Sequence, residues 1–164
     1  LLFCRVGAQQ EDPIRLHHHT FLSLAGSSLF YLLTRSLSGT LAFFLSGIFI
    51  DLDHIFEYVY AFGARSFSVR RFFRAAHGHE YRRYFLLVHS WEIVLVFWAA
   101  TAFLLPSNWA VGFSLGFTLH ILADQIYNPC TALTYFLWFR IRHRFDGDIL
   151  FPPEKRARRK ISTN

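Results

Sequence analysis

Residues 37–62 read LSGTLAFFLSGIFIDLDHIFEYVYAF, an apolar run interrupted only by the acidic cluster Asp51-Leu52-Asp53-His54. A helix over this run is long enough to cross a bilayer. Ionisable groups in such a setting are costly and usually functional. Two carboxylates so close together repel unless a cation, a proton or an arginine compensates. The alternative is a helix end at the cytoplasmic interface whose acids face water. At helical spacing, Gly47, Asp51 and His54 share a face, with offsets of four and three. Asp53 lies roughly 100° or more away on an ideal helix. It reaches the same centre only if the helix distorts there; otherwise it orients a histidine or faces water.

Working outward, the chain carries three more apolar runs. One follows His17 to about Leu33, one spans Tyr84–Leu105, and one spans Trp109 to about Tyr127, where Asn128-Pro129 predicts a break. Ser36, Ser38 and Gly39 mark a turn between the first two runs, and 63–83 is polar and basic. Thr131–Phe139 is too short to cross and reads as interfacial. The expectation is an all-α polytopic membrane bundle of about four transmembrane helices plus an interfacial segment. It divides into an N-terminal arm (1–16), a membrane-embedded domain (17–139) and a basic cytoplasmic tail (140–164) ending in Lys155-Arg156-Ala157-Arg158-Arg159-Lys160. No methionine is present, and Leu1–Ala8 reads as the tail of something longer, without a signal-peptide pattern.

Composition agrees with that class. Of 164 residues, 53% are hydrophobic and 20 are Phe, more apolar surface than a soluble fold of this size hides easily. The net charge of +6 comes mostly from arginines that flank the apolar runs. That distribution points to topology and anionic headgroups, not to nucleic acid. Four spans put both termini and the 63–83 loop on one side, which the positive-inside rule makes cytoplasmic, in a multi-pass protein of the plasma (inner) membrane. Cys4 and Cys130 lie far apart and read as free thiols.

In that topology His19, Asp51, Asp53, His54, His89, His120 and Asp124 all fall at similar depth near the cytoplasmic face. Histidine and carboxylate are the side chains that hold catalytic metals. Gly112, Gly116, His120, Asp124 and Asn128 recur every four residues and form one helix stripe. Its glycines let helices approach closely, so its polar end points into the bundle. His19, Ser23 and Gly26 form a similar stripe. Expected metal ligands are His19, Asp51, His54, His120 and Asp124, with Asp53, His89 and Arg82 in catalytic roles. Arg82 or Arg83 would pair with a substrate phosphate or anchor the helix at anionic lipid. His77 and His79 read as surface residues. Mixed nitrogen and oxygen donors suit a divalent ion, with zinc or manganese first and one or two ions.

The order of motifs resembles the membrane-bound metal-dependent hydrolase family, the YdjM-like proteins. The matching residues are His19 (or His18), Asp51-Leu52-Asp53-His54, His89-Ser90 and His120-Ile121-Leu122-Ala123-Asp124, which together cover most of 17–128. The chain has Ile50 where that family often has Pro, and Tyr84–Val88 where it often has His-Arg-Gly. The resemblance implies a metal-dependent hydrolase. With the arginine fringe, the expected substrate is an ester or phosphoester of lipid-headgroup type, and the partner is membrane lipid. No G-x-S-x-G nucleophile motif competes. Two other classes stay open. One is a haem or electron-transfer subunit using His54, His89 and His120, which the nearby aspartates disfavour. The other is a non-catalytic membrane protein whose polar residues hold helices together.

Overall fold

The computed structural model describes residues 14–78 and 81–155. Residues 1–13 of the expected arm, with Cys4, lie outside the described residues, as do His79, the side chain of His77 and the basic run from Arg156. The described part is all-helical, as the apolar runs predict, with no strand among the described residues. Helix α1 (Ile14–Thr34) stops at Arg35, whose φ of 55° ends the helical hydrogen bonding. Ser36 then caps α2 (Leu37–Phe49) by accepting the Gly39 amide at 3.3 Å. The turn is therefore Arg35-Ser36, and Ser38 and Gly39 belong to the first turn of α2. At the acidic cluster the helix tightens into one 3₁₀ turn, Ile50–Asp53, before α3 (His54–Phe62) resumes.

The stretch 63–83, read from the sequence as polar and basic, contains a helix, α4 (Val69–Gly78). Its Phe72 and Ala75, three residues apart, bury one face while Arg70, Arg71 and Arg74 stay outside. The third apolar run does not begin its helix at Tyr84. Residues 84–90 are irregular, and α5 spans Trp91–Phe103. The reason is competition for the backbone. Glu57 accepts the Leu86 amide at 2.7 Å and Asp53 accepts the Val88 amide at 3.1 Å. Helix α6 (Asn108–Tyr127) ends at Asn128, extended at ψ 145°, as the following Pro129 requires. Two short helices follow, α7 (Leu137–Arg142) and α8 (Gly147–Leu150). The domain boundary expected after residue 139 falls inside α7, and Arg140, Leu150 and Phe151 are buried.

Helix α2 is the spine. It runs antiparallel to α1 and parallel to α6. Gly112 lies against the Gly39 backbone, Gly116 against the Phe43 carbonyl and Gly47 against the Ser23 hydroxyl. A Cβ at any of the three would collide. The small-residue stripe of α6 thus does what its spacing predicts. Ser46 donates to the Phe113 carbonyl at 2.9 Å, and α5 is tied to α6 by Trp98 Nε1 donating to Thr118 Oγ1 at 3.0 Å. Small polar residues such as Ser23, Ser46, Thr101 and Ser114 are buried here, whereas Leu33 is 77% exposed, Leu95 69% and Phe103 84%. Among the described residues, one helical run, Leu37–Phe62, is both long and apolar enough to cross a membrane, with mean hydropathy 1.4. Helix α5 is apolar but has 13 residues. Helices α1 and α6 have the length, at 21 and 20 residues, but not the apolarity.

A cap closes the end where α2 finishes. Tyr58, Phe72, Tyr81, Tyr84, Tyr135 and Phe151 form its buried aromatic cluster, with Leu86 and Leu150 packed among them.

Candidate metal centre

Three elements deliver four donors to one point under the cap. The 3₁₀ turn brings Asp51, the irregular stretch before α5 brings His89, and α6 brings His120 and Asp124 one turn apart. One atom from each of the four lies within 4.8 Å of the others. His89 Nε2 and His120 Nε2 are each 3.3 Å from Asp51 Oδ1. From Asp124 Oδ2 they are 3.7 and 3.6 Å. Four donors arranged tetrahedrally around an ion at ~2.1 Å stand about 3.4 Å apart. The four histidine-to-carboxylate spacings, 3.3–3.7 Å, are compatible with such a shell.

Both imidazoles are held from behind so that Nε2 faces the centre. His120 Nδ1 donates to the Gly47 carbonyl at 2.8 Å, leaving a buried Nε2 with no hydrogen bond. His89 Nδ1 is 2.9 Å from Asp53 Oδ1. The bond behind His120 fixes its tautomer and ring orientation, as at known metal histidines, and Asp53 stands in the matching place behind His89. The 3₁₀ turn is what makes this possible. On a regular helix Asp51 and Asp53 diverge, but here they reach the two nitrogens of one ring, so Asp53 orients a histidine. His19 approaches from α1, with Nε2 3.2 Å from the other Asp124 oxygen and its ring stacked 4.4 Å from that of His120. His54 stands apart from the four. Its ring is tilted 5.2 Å from His89, and its Nδ1 faces Glu57 Oε2 at 3.8 Å. With Asp53 and the far side of His89 it forms a second, smaller group of donors. His18 stacks on Tyr127 at the surface. Arg82 is not brought to this centre. It lines a separate basic pocket with Arg83, Arg142 and Arg144.

Two supporting residues go unseen in the sequence. Glu57 is 1% exposed and fixes the Leu86 amide. Its signal was available, since an acid three residues after His54 in an apolar run needs a partner. Arg140 is wholly buried and donates to the carbonyls of His89 at 2.7 Å, Leu86 at 2.8 Å and Thr134 at 3.1 Å. Burial pulls its guanidinium down to about 10, so it stays charged at neutral pH. Leu86 has φ 44°, a strained conformation for a branched side chain, held from both ends by Glu57 and Arg140. Burial pushes the Cys130 thiol up to about 11, leaving it protonated.

Of the four donors, Asp51 is the one that reaches the outside, its side chain 35% exposed against 0% for both histidines and 7% for Asp124. Beside the centre, an apolar pocket of about 410 Å³ is lined by Leu45, Phe49, Phe56, Phe97 and Phe117, with Asp53 in its wall. No family model, curated protein or solved structure matches the chain, and the likeness to the YdjM-like hydrolases rests on the motif residues alone.

Proposed function

We propose that the chain is a membrane-embedded, metal-dependent hydrolase of an ester or phosphoester, acting at the cytoplasmic headgroup level of the plasma membrane with both termini on that side. The spacing of Asp51, His89, His120 and Asp124 is the observation that carries the reading. These four would hold a divalent ion, zinc or manganese by donor type. A bound ion there would supply Lewis acidity and lower the pKa of a coordinated water. Asp51, at the exposed edge, marks the side from which water and substrate enter. Asp53 keeps His89 turned to the centre, and His19 holds the outer oxygen of Asp124. The Phe-lined pocket beside Asp53 suits the apolar part of an amphiphilic substrate. The apolar exterior of the helices supports embedding in lipid with four spans. An exposed Leu33, Leu95 and Phe103 over a Ser- and Gly-rich interior is how helices pack where lipid is the solvent.

Haem fits less well. The ring centroids of His89 and His120 are 5.2 Å apart, which leaves no space for a macrocycle between them. The interhelical bond from His120 to Gly47 favours one other reading, that these polar groups only hold the helices together. Elemental analysis of protein extracted without chelators, for wild type and Asp124→Ala, separates the two. The hydrolase reading expects about one or two ions per wild-type chain and loss of both metal and esterase or phosphoesterase activity in the variant. It also expects a metal-free variant as thermostable as the apo wild type, because one of two crowded carboxylates is gone. Wild type without metal, together with an unfolded variant, would favour the structural reading.

A further inference from the structure

The basic pocket apart from the metal centre is a built feature. Residues 82–84 run antiparallel to 145–147, with Tyr84 donating to the Phe145 carbonyl at 3.0 Å and Gly147 donating to the Arg82 carbonyl at 2.9 Å. Only glycine fits at 147, because a Cβ there would stand 2.7 Å from the Tyr81 carbonyl. Arg144 and Phe145 are both left-handed, at φ 51° and 60°. That turn brings Arg144 and the end of α7, with Arg142 and His143, round to face Arg82 and Arg83. The result is a pocket of about 320 Å³ lined by four guanidiniums and one imidazole. Asp146 is the one acid in the lining, and its Oδ1 is turned to the Asp148 and Ile149 amides, at 2.9 and 3.3 Å. Among the described residues none of the four guanidiniums has a carboxylate within salt-bridge distance.

Like charges gathered by strained backbone, and not dispersed along a helix, favour an anion among them. We propose that this pocket binds a phosphate monoester group, distinct from any ester hydrolysed at the metal centre. Guanidinium forks match the oxygens of phosphate bidentately, and several forks around one group favour the dianion over a singly charged carboxylate. The volume leaves room for part of whatever carries the phosphate. No residue of the metal centre lines the pocket, so the assignment stands without the hydrolase reading.

The phosphate can come from a lipid headgroup or from solution, and two probes tell these apart. Full-length protein in detergent is titrated with inorganic phosphate by calorimetry. In parallel it is reconstituted into phosphatidylcholine nanodiscs with or without phosphatidic acid, and the thermal midpoint is read. The test variant is Arg83→Gln/Arg142→Gln. The control, Arg65→Gln/Arg70→Gln, removes equal charge outside the pocket. Expected is binding of at least one probe by wild type and control alike, weakened about tenfold or more in the test variant. Response to phosphatidic acid alone assigns the group to lipid, and response to inorganic phosphate assigns it to a soluble ligand. Arg83→Lys/Arg142→Lys keeps charge and fold but not the fork, and should bind between the two, which separates loss of recognition from misfolding. Wild type that binds neither probe, or equal weakening in test and control variants, would overturn the proposal.

Discussion

The helical bundle and the cap at its end solve packing in opposite ways. In the bundle the inside mixes small and polar residues with a few large ones such as Phe43 and Phe117, and much of the outside is large and apolar. Gly112 meets Gly39 backbone to backbone, while Phe103 stands free. In the cap the order is reversed. Tyr84, Phe151 and Leu150 are inside, and Arg82, Arg83, Arg142 and Arg144 are outside. A cap organised that way is held by apolar burial against water. A bundle organised the other way would, in lipid, gain little from hiding its interior from water and rely on close approach and interhelical hydrogen bonds. Two solvents acting on one chain would account for the contrast under the proposed membrane embedding, and the proposed metal centre lies where the two regimes meet.

The contrast can be broken at its tightest point first. Gly112→Ala places a methyl into the Gly39 backbone, which has nowhere to move, so the bundle should lose about 3 kcal/mol or more. Unfolding in detergent, followed by helical circular dichroism, measures it. Next comes the outer face. Leu95→Asp on α5 should cost about 3 kcal/mol if that face meets lipid, and within about 0.5 kcal/mol if it meets water. A variant that inserts and unfolds like wild type would end the two-solvent account. In the cap, Arg140→Met leaves three buried carbonyls unpaired and releases the strained Leu86, for about 2–3 kcal/mol. The cap should loosen before the bundle does, visible as faster amide exchange at residues 84–90. The smallest effect belongs to the junction. Asp53→Asn keeps the shape behind His89 but weakens its grip, lowering metal affinity about 10- to 100-fold with little change in unfolding of the apo protein.

Much of the bundle was legible because its signals are periodic. The four-residue recurrence from Gly112 to Asn128 is a helix face, and Pro129 ends it. Depth along the apolar runs pointed to one shared site for His19, Asp51, His54, His89, His120 and Asp124, with His54 as a ligand and His89 in a catalytic role, whereas the structure groups Asp51, His89, His120 and Asp124 and leaves His54 in a second group. The role of Asp53 was legible only as alternatives, a ligand, a group that orients a histidine or an acid facing water, because helical periodicity assumes a regular helix and the 3₁₀ turn at Ile50–Asp53 changes which side chains share a direction. Helix α4 was hidden by charge, since Arg70, Arg71 and Arg74 mask the Phe72/Ala75 face. Arg140 was hidden by its neighbours. At the edge of a basic tail it looks solvated, and only the cap that folds over it decides otherwise. The irregular stretch 84–90 has a helical composition overruled by Glu57 and Asp53, more than 25 residues away.

The parallel pairing of α2 with α6 also sets an order of assembly. The bond between His120 and Gly47 joins positions 73 residues apart, and the donors around the centre are contributed between Asp51 and Asp124. Contacts so distant in sequence close late. A growing chain that has emerged only as far as α5 presents Asp51 and His89 but not the α6 pair. At the proposed metal site the full donor set exists only once synthesis has passed Asp124 and α6 has packed against α1, α2 and α5.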